Sequence, residues 1–247
     1  MDPLLYDAHE HYERDHWWFV GRRSIIEHVI DARLDQPTGL QILDVGCGTG
    51  GMLPMLSRFG SVSGLEFETS AVARCRRNYP DFEVTQGEVP FDVPADGSFD
   101  LVTSFDVIEH LDDDAKAVRS FAEAVRPGGR VVVTVPAYLW LWSDHDDLNG
   151  HRRRYTAGKL AAVLEAEDLV VEHVSYFNSW LLPVVAAARV GSRLARVSKA
   201  KPSEFAVPSS AVNQALTRLF ASERHLVASS GLPAGVSLLA IARRVDR

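Results

Sequence analysis

The 247-residue chain has only two cysteines, Cys47 and Cys75, with no Cys-x-x-Cys and no Cys/His ligand spacing. That excludes a disulfide framework and a structural zinc site. It also lacks an apolar run of the roughly 20 residues a membrane span needs. The longest apolar stretch in its last third, 180–190, is interrupted by Pro183 and Arg189. The first residues lack the basic stretch and apolar run of a secretory leader, so a cytoplasmic protein is expected. Positive charge is the minority sign: 26 Lys and Arg stand against 33 Asp and Glu, a net charge of −7. A protein that coats nucleic acid needs the opposite balance, so no nucleic-acid partner is expected. Internal repeats and low-complexity tracts are absent as well. What is present is 46% hydrophobic and 24% charged residues, the composition of a soluble globular chain able to bury a sizeable core.

Strand and helix patterns alternate from residue 22 to residue 135. Ile25, Ile26, Val29, Ile30 and Leu34 share one helical face, and the break at 36–39 ends it. Short apolar runs at 40–45, 61–66, 82–86, 99–106 and 130–135 read as strands. Helices are expected between them, through Phe59, over 70–78, and from a cap at Asp112 to the Pro127-Gly128-Gly129 break. Such alternation predicts parallel β-α-β units with right-handed crossovers. Residues 137–155 carry two histidines, His145 and His151, and many charges, and read as a functional loop. A further helix is marked by Leu160, Val163 and Leu164. Strands are expected at 169–177 and 236–243, with two helical patterns, 179–197 and 210–228, between them.

The run Asp44-Val-Gly-Cys-Gly-Thr-Gly-Gly51 follows a strand and opens a helix. Glycine there lets backbone approach a ligand closely, and a helix start offers unpaired N–H groups. Gly46, Gly48 and Gly51 spell the dinucleotide fingerprint GxGxxG, while Gly46, Gly48 and Gly50 spell GxGxG. Glu66, at the end of the second strand, is placed to accept both ribose hydroxyls of either ligand class. An NAD-dependent oxidoreductase and another adenosine-ligand protein are therefore both open at this point.

Five motifs in order separate them: the glycine run from Asp44, Gly87-Glu-Val-Pro-Phe, Asp96-Gly-Ser-Phe-Asp-Leu-Val102, Phe105-Asp-Val-Ile-Glu-His-Leu111 and Arg126-Pro-Gly-Gly129. Together they resemble class I S-adenosylmethionine-dependent methyltransferases, in particular the small-molecule branch that includes the ubiquinone-biosynthesis enzymes. The resemblance implies an α/β fold with a Rossmann-like seven-stranded sheet, mostly parallel, with one antiparallel C-terminal strand. The core would comprise 37–177 and 236–247. An N-terminal helical cover (1–36) and a helical cap (178–235) inserted between the last two strands would complete a single domain. It further implies that Asp44, Gly46, Cys47 and Gly48 sit at the methionine part of the cofactor. Glu66 would hold the ribose, with Phe67, Gly87, Glu88 and Val89 around the adenine. Phe105, Asp106 and Val107 would line the cofactor at the end of the fourth strand.

Methyl transfer to a hydroxyl needs a base near neutrality. His110, His145 and His151 are candidates, and His145 is preferred because it follows the fifth strand and is flanked by Asp144 and Asp146. Tyr155 joins His145 and His110 as a catalytic candidate. Some ubiquinone-pathway O-methyltransferases bind a divalent metal through an acid followed by Glu-His at the spacing of Asp106, Glu109 and His110. Glu-His-Leu also occurs in methyltransferases without metal, and no metal is expected here. Trp17 and Trp18 are expected to wall the acceptor, and Arg153 or Arg154 to meet an anionic group on it. The expected reaction is O-methylation of a small molecule, with N- or C-methylation as variants. An NAD oxidoreductase and a non-catalytic cofactor-binding scaffold are the alternatives. The apolar helix at 180–190, running on to Arg193 and Arg196, allows a peripheral membrane contact or a homodimer interface on an otherwise monomeric chain.

Overall fold

A computed structural model describes residues 10, 12–34, 37–195 and 207–245, with the side chains of 192–195 left aside. The first part of the expected cover, Gln36 of the expected helix break, the helix end at 196–197 and Pro202 lie outside the described residues. Helix α1 (Trp17–Arg33) leads into β1 (Leu40–Val45), the one-turn α2 (Leu53–Leu56), β2 (Gly60–Glu66), α3 (Thr69–Asn78), β3 (Glu83–Gln86) and β4 (Phe99–Phe105). Then come α4 (Asp114–Ala124), β5 (Val125–Pro136), α5 (Asp144–Asn149), α6 (Ala157–Glu165) and β6 (Leu169–Phe177). The chain closes with α7 (Leu182–Ala195), α8 (Ser210–Ala221), α9 (Arg224–Ala228) and β7 (Ser237–Arg244).

The seven strands form one sheet in the order β3-β2-β1-β4-β5-β7-β6. All neighbours pair in parallel except β7, which is antiparallel to both β5 and β6. The central strand β5 shows why the sheet sits inside. Val131, Val133 and Val135 pack into the core layer that holds Phe121 and Leu160, while Val132 packs into the layer that holds Ile26 and Phe177. The two-residue period of a strand divides one continuous valine run between two helical layers. Strand order reverses between β1 and β4, and a cleft outside the carboxyl ends of an open sheet follows at that point.

Local differences from the sequence reading have local causes. α1 begins at Trp17, because the His16 side chain accepts the Trp18 N–H. The cap of α4 is Asp113, which accepts the Lys116 N–H, not Asp112. The helix ends at Ala124, and β5 runs straight through Pro127-Gly128-Gly129. The 137–155 loop contains a helix, α5, closed by a capping box between Ser143 and Asp146. The described helices of the 178–235 insertion lie at two places. α7 reaches the cleft, whereas α8 and α9 pack on α1, where Phe220 stacks on Phe177 and meets Trp17 edge-on.

Candidate active site

A cleft of about 940 Å³ opens at the carboxyl ends of β1, β2, β4 and β5. The glycine run forms its floor. Gly46 (φ 75°) and Gly48 (φ 56°) take left-handed backbone that favours glycine. A Cβ on Gly46 would lie 2.4 Å from the Val107 side chain, and one on Gly48 would enter open space. The loop is thus packed against Val107 at Gly46 and open at Gly48, where a ligand can approach the backbone closely.

Two buried carboxylates face this cradle. Glu66 accepts N–H bonds from Gly48 and Glu68, both at 2.9 Å, so the loop and the strand end hold each other in place. Burial still pushes its carboxyl up, against those two bonds. Asp44 accepts the Thr103 hydroxyl at 2.6 Å, and burial pushes it up to about 7. Cys47, Phe67, Gly87, Glu88, Val89, Phe105, Asp106 and Val107 also line this half of the cleft. Glu13 lies there too, buried, with the Thr49 hydroxyl donating to it at 2.7 Å.

The other half is walled by Trp17 and Trp18 from α1 and by Val185 and Arg189 from α7. Between the halves stands Arg22. Its guanidinium pairs with Asp106 at 2.7 Å, donates to Thr134 and lies over the rings of Trp18 and Phe105 at 5.0 and 5.6 Å. Asp106 itself has a left-handed backbone (φ 58°). Glu109 is fully buried and its two oxygens have no hydrogen-bond partner. Burial, and then the negative charge of Asp106, push its carboxyl well above the usual carboxylate range. His110 is held down to about 4, by burial first and by His151 second, so it is neutral at ordinary pH. Glu109, His110 and His151 bring one donor atom each within 4.8 Å of one another, the arrangement in which a cation could be held.

The histidine geometry revises the sequence reading. His145 lines the cleft, but Asp146 turns to His151, whose Nδ1 lies 2.8 Å from its carboxylate. Arg154 grips the same carboxylate through two bonds of 2.7 and 3.0 Å. Burial alone would raise Asp146. The bonds from His151 and Arg154 outweigh it and hold the carboxyl well below its ordinary value.

Two expected site residues do not reach the cleft. The Tyr155 hydroxyl donates to Asp114 at 2.6 Å, in the core, and burial pushes its phenol far up. Arg153 pairs with Asp114 at 2.6 Å and donates to the carbonyls of Leu111 and Asp112. The segment is extended here, with Tyr155 bridging Ala137, so alternate side chains point apart. Arg152 and Arg154 line the cleft, while 153 and 155 face Asp114. Of the expected pair only Arg154 is in the site, and it is committed to Asp146.

A 3-2-1-4-5-7-6 sheet with an antiparallel β7, a glycine run after β1 and a buried carboxylate at the end of β2 is the architecture of a class I S-adenosylmethionine-dependent methyltransferase. The model of the methyltransferase domain family matches residues 15–174, and the chain belongs to that family. It is 32% identical, over 64% of its length, to a probable S-adenosylmethionine-dependent methyltransferase of Mycolicibacterium smegmatis. It is 28% identical, again over 64% of its length and 78% of the relative's, to the ubiquinone biosynthesis O-methyltransferase of Aeromonas salmonicida. The chain spans 61% of the length of the M. smegmatis relative and 54% of a Mycobacterium tuberculosis one. Among solved structures, it superposes on an S-adenosylmethionine-dependent methyltransferase from Mesorhizobium loti with a TM-score of 0.57, at 21% identity over 87% of this chain and 96% of that one. Phosphoethanolamine N-methyltransferase 2 of Haemonchus contortus, in complex with S-adenosyl-L-methionine, gives 0.63 at 17% identity, over 98% of this chain and 57% of that one. These likenesses stand for the methyltransferase side of the two glycine-loop readings.

Proposed function

We propose that the protein transfers a methyl group from S-adenosylmethionine to a hydroxyl of a small, anionic or amphiphilic acceptor. The observation that carries this reading is a single cleft holding both the glycine cradle and a carboxylate-oriented histidine. The cofactor, when bound, supplies a methyl group on a sulfonium already activated for in-line displacement. Asp44 and Glu66 would hold its amino group and ribose, with Phe67 and Val89 beside the base. The aromatic wall of Trp17 and Trp18 excludes water from the acceptor half. Asp146 holds His151 by its Nδ1 and offsets the charge His151 gains on taking the hydroxyl proton, so His151 is favoured over His145 as the base. His145 stays in the site as a positioning residue. Neutral His110 offers a hydrogen bond to the acceptor without charge.

The test is mass spectrometry of a small-molecule extract incubated with the protein and methyl-labelled cofactor. A labelled small molecule is expected, formed equally with and without a chelator. Binding of S-adenosylhomocysteine with no label transferred to any small molecule would favour the scaffold reading. Loss with the chelator and recovery with magnesium would assign a metal to Glu109, His110 and His151.

Asp44 gives a pH prediction. Its carboxyl lies near 7, and only the ionised form pairs with the cofactor's ammonium group. Affinity for S-adenosylhomocysteine, measured by calorimetry, should therefore rise as pH passes upward through about 7. In Asp44→Asn the affinity should be lower and flat over that range.

A further inference from the structure

The outer face of α7 has the wrong composition for a helix facing water. Trp180, Pro183, Val184, Ala187, Ala188 and Gly191 are all exposed and recur at helical spacing. Val184 is 66% exposed and the Trp180 side chain 46%. None carries a charge. The inner face, with Val185 and Arg189, lines the cleft. α8 repeats the pattern: Ala211, Val212, Ala215 and Leu219 are exposed along one side, with Val212 at 50%. The two stripes meet where the Trp180 indole N–H donates to the Ser222 hydroxyl at 3.2 Å. A continuous exposed apolar face of this kind marks an interaction surface.

The charge around it selects the partner. Residues 178–235 hold seven Lys and Arg against two acids, in a chain whose net charge is −7. No Asp or Glu occurs from 173 through 203, while beyond the cleft-lining Arg189 the segment carries Arg193, Arg196, Lys199 and Lys201. An apolar helical face within a basic segment fits the interface of an anionic bilayer, which attracts Lys and Arg and accepts apolar side chains. A symmetric dimer through the same face would bring two basic segments together. No helix among the described residues is long and apolar enough to cross a membrane, so the contact is peripheral.

We infer that α7 and the exposed side of α8 form a docking surface for an anionic lipid membrane, with the cleft mouth on the other side of α7. The inference does not depend on the acceptor or on the reaction. It is tested by co-sedimentation of the purified chain with phosphatidylcholine vesicles and with vesicles of equal phosphatidylcholine and phosphatidylglycerol. Partitioning is expected to be about tenfold or more higher on the anionic vesicles. Val184→Asp should lower it about tenfold, and Arg193→Glu with Arg196→Glu should abolish the preference between the two compositions. Val184 is outside the cleft, so Val184→Asp should bind S-adenosylhomocysteine normally, and Val212→Asp provides a second variant should the first fail to fold. Equal partitioning on the two vesicle types, or no loss in either aspartate variant, would overturn the inference. So would light scattering that shows a dimer which Val184→Asp makes monomeric, with no vesicle binding by either.

Discussion

Glu66→Ala is expected to weaken S-adenosylhomocysteine binding by about 100-fold, measured by calorimetry. The carboxylate would accept the ribose hydroxyls, and a hydrogen bond to a charged group is worth about 1.5–3 kcal/mol. The variant loses more than those contacts. Gly48 and Glu68 both donate to Glu66, so its removal leaves two N–H groups of the cradle and the following turn without their acceptor. Glu66→Gln separates the effects: it keeps an acceptor oxygen and should recover part of the affinity. An unchanged dissociation constant in Glu66→Ala would remove Glu66 from the cofactor site.

Asp146→Ala is expected to be damaging twice over. Asp146 is fully buried and is gripped by Arg154, whose side chain is also buried. Removing one partner of such a pair costs about 3–5 kcal/mol, because the other charge stays buried and uncompensated. Chemical denaturation should show that loss. Turnover should fall by about 100-fold or more, since His151 loses the group that orients it. His151→Asn should reproduce the loss of turnover with a much smaller loss of stability, which distinguishes the two roles. The stability effect has a pH sign. Asp146 is held below its ordinary value in the folded state, so its contribution is fully present above the unfolded carboxylate pKa of about 4. It is lost as pH falls below that. The stability gap between wild type and Asp146→Ala should therefore narrow in acid. A constant gap would contradict the assignment of the low pKa to this carboxylate.

The sheet and the cradle were legible because each rests on a local pattern. Valine runs, glycines and turn residues are fixed by short-range sterics, and their order along the chain implies the topology. The acceptor half was less legible because it is assembled from pairings across the fold. Nothing near Asp146 in sequence decides between His145 and His151. The choice follows from α5, whose single turn places Asp146 under the segment that follows it. Ser143 and Asp146 have capping-box spacing, the one local sign of that helix. Arg22 was passed over because it shares a helix with Ile25, Ile26 and Val29. A charged residue on that apolar face was itself the signal. Arg153 and Tyr155 were drawn into the site by proximity to Arg154, and the alternation of an extended segment sends them to the opposite side.

Glu10 and Glu13 tie the segment before α1 to the rest of the fold. Glu10 is tied to Arg74, Arg77 and Asn78 on α3, and Glu13 to Thr49 beside the cradle. Gly51 leaves just enough room for the Glu13 carboxylate, since a Cβ there would lie 2.5 Å from it. Glu13 thereby lines the cleft beside the glycine cradle, a few residues before Trp17 and Trp18. Partly exposed ion pairs contribute about 1 kcal/mol or less each, whereas the valine-rich sheet beneath is held by its buried core. The segment before α1 is therefore held to the cleft more weakly than α1 itself, whose Ile25, Ile26, Val29 and Ile30 are fully buried with the sheet.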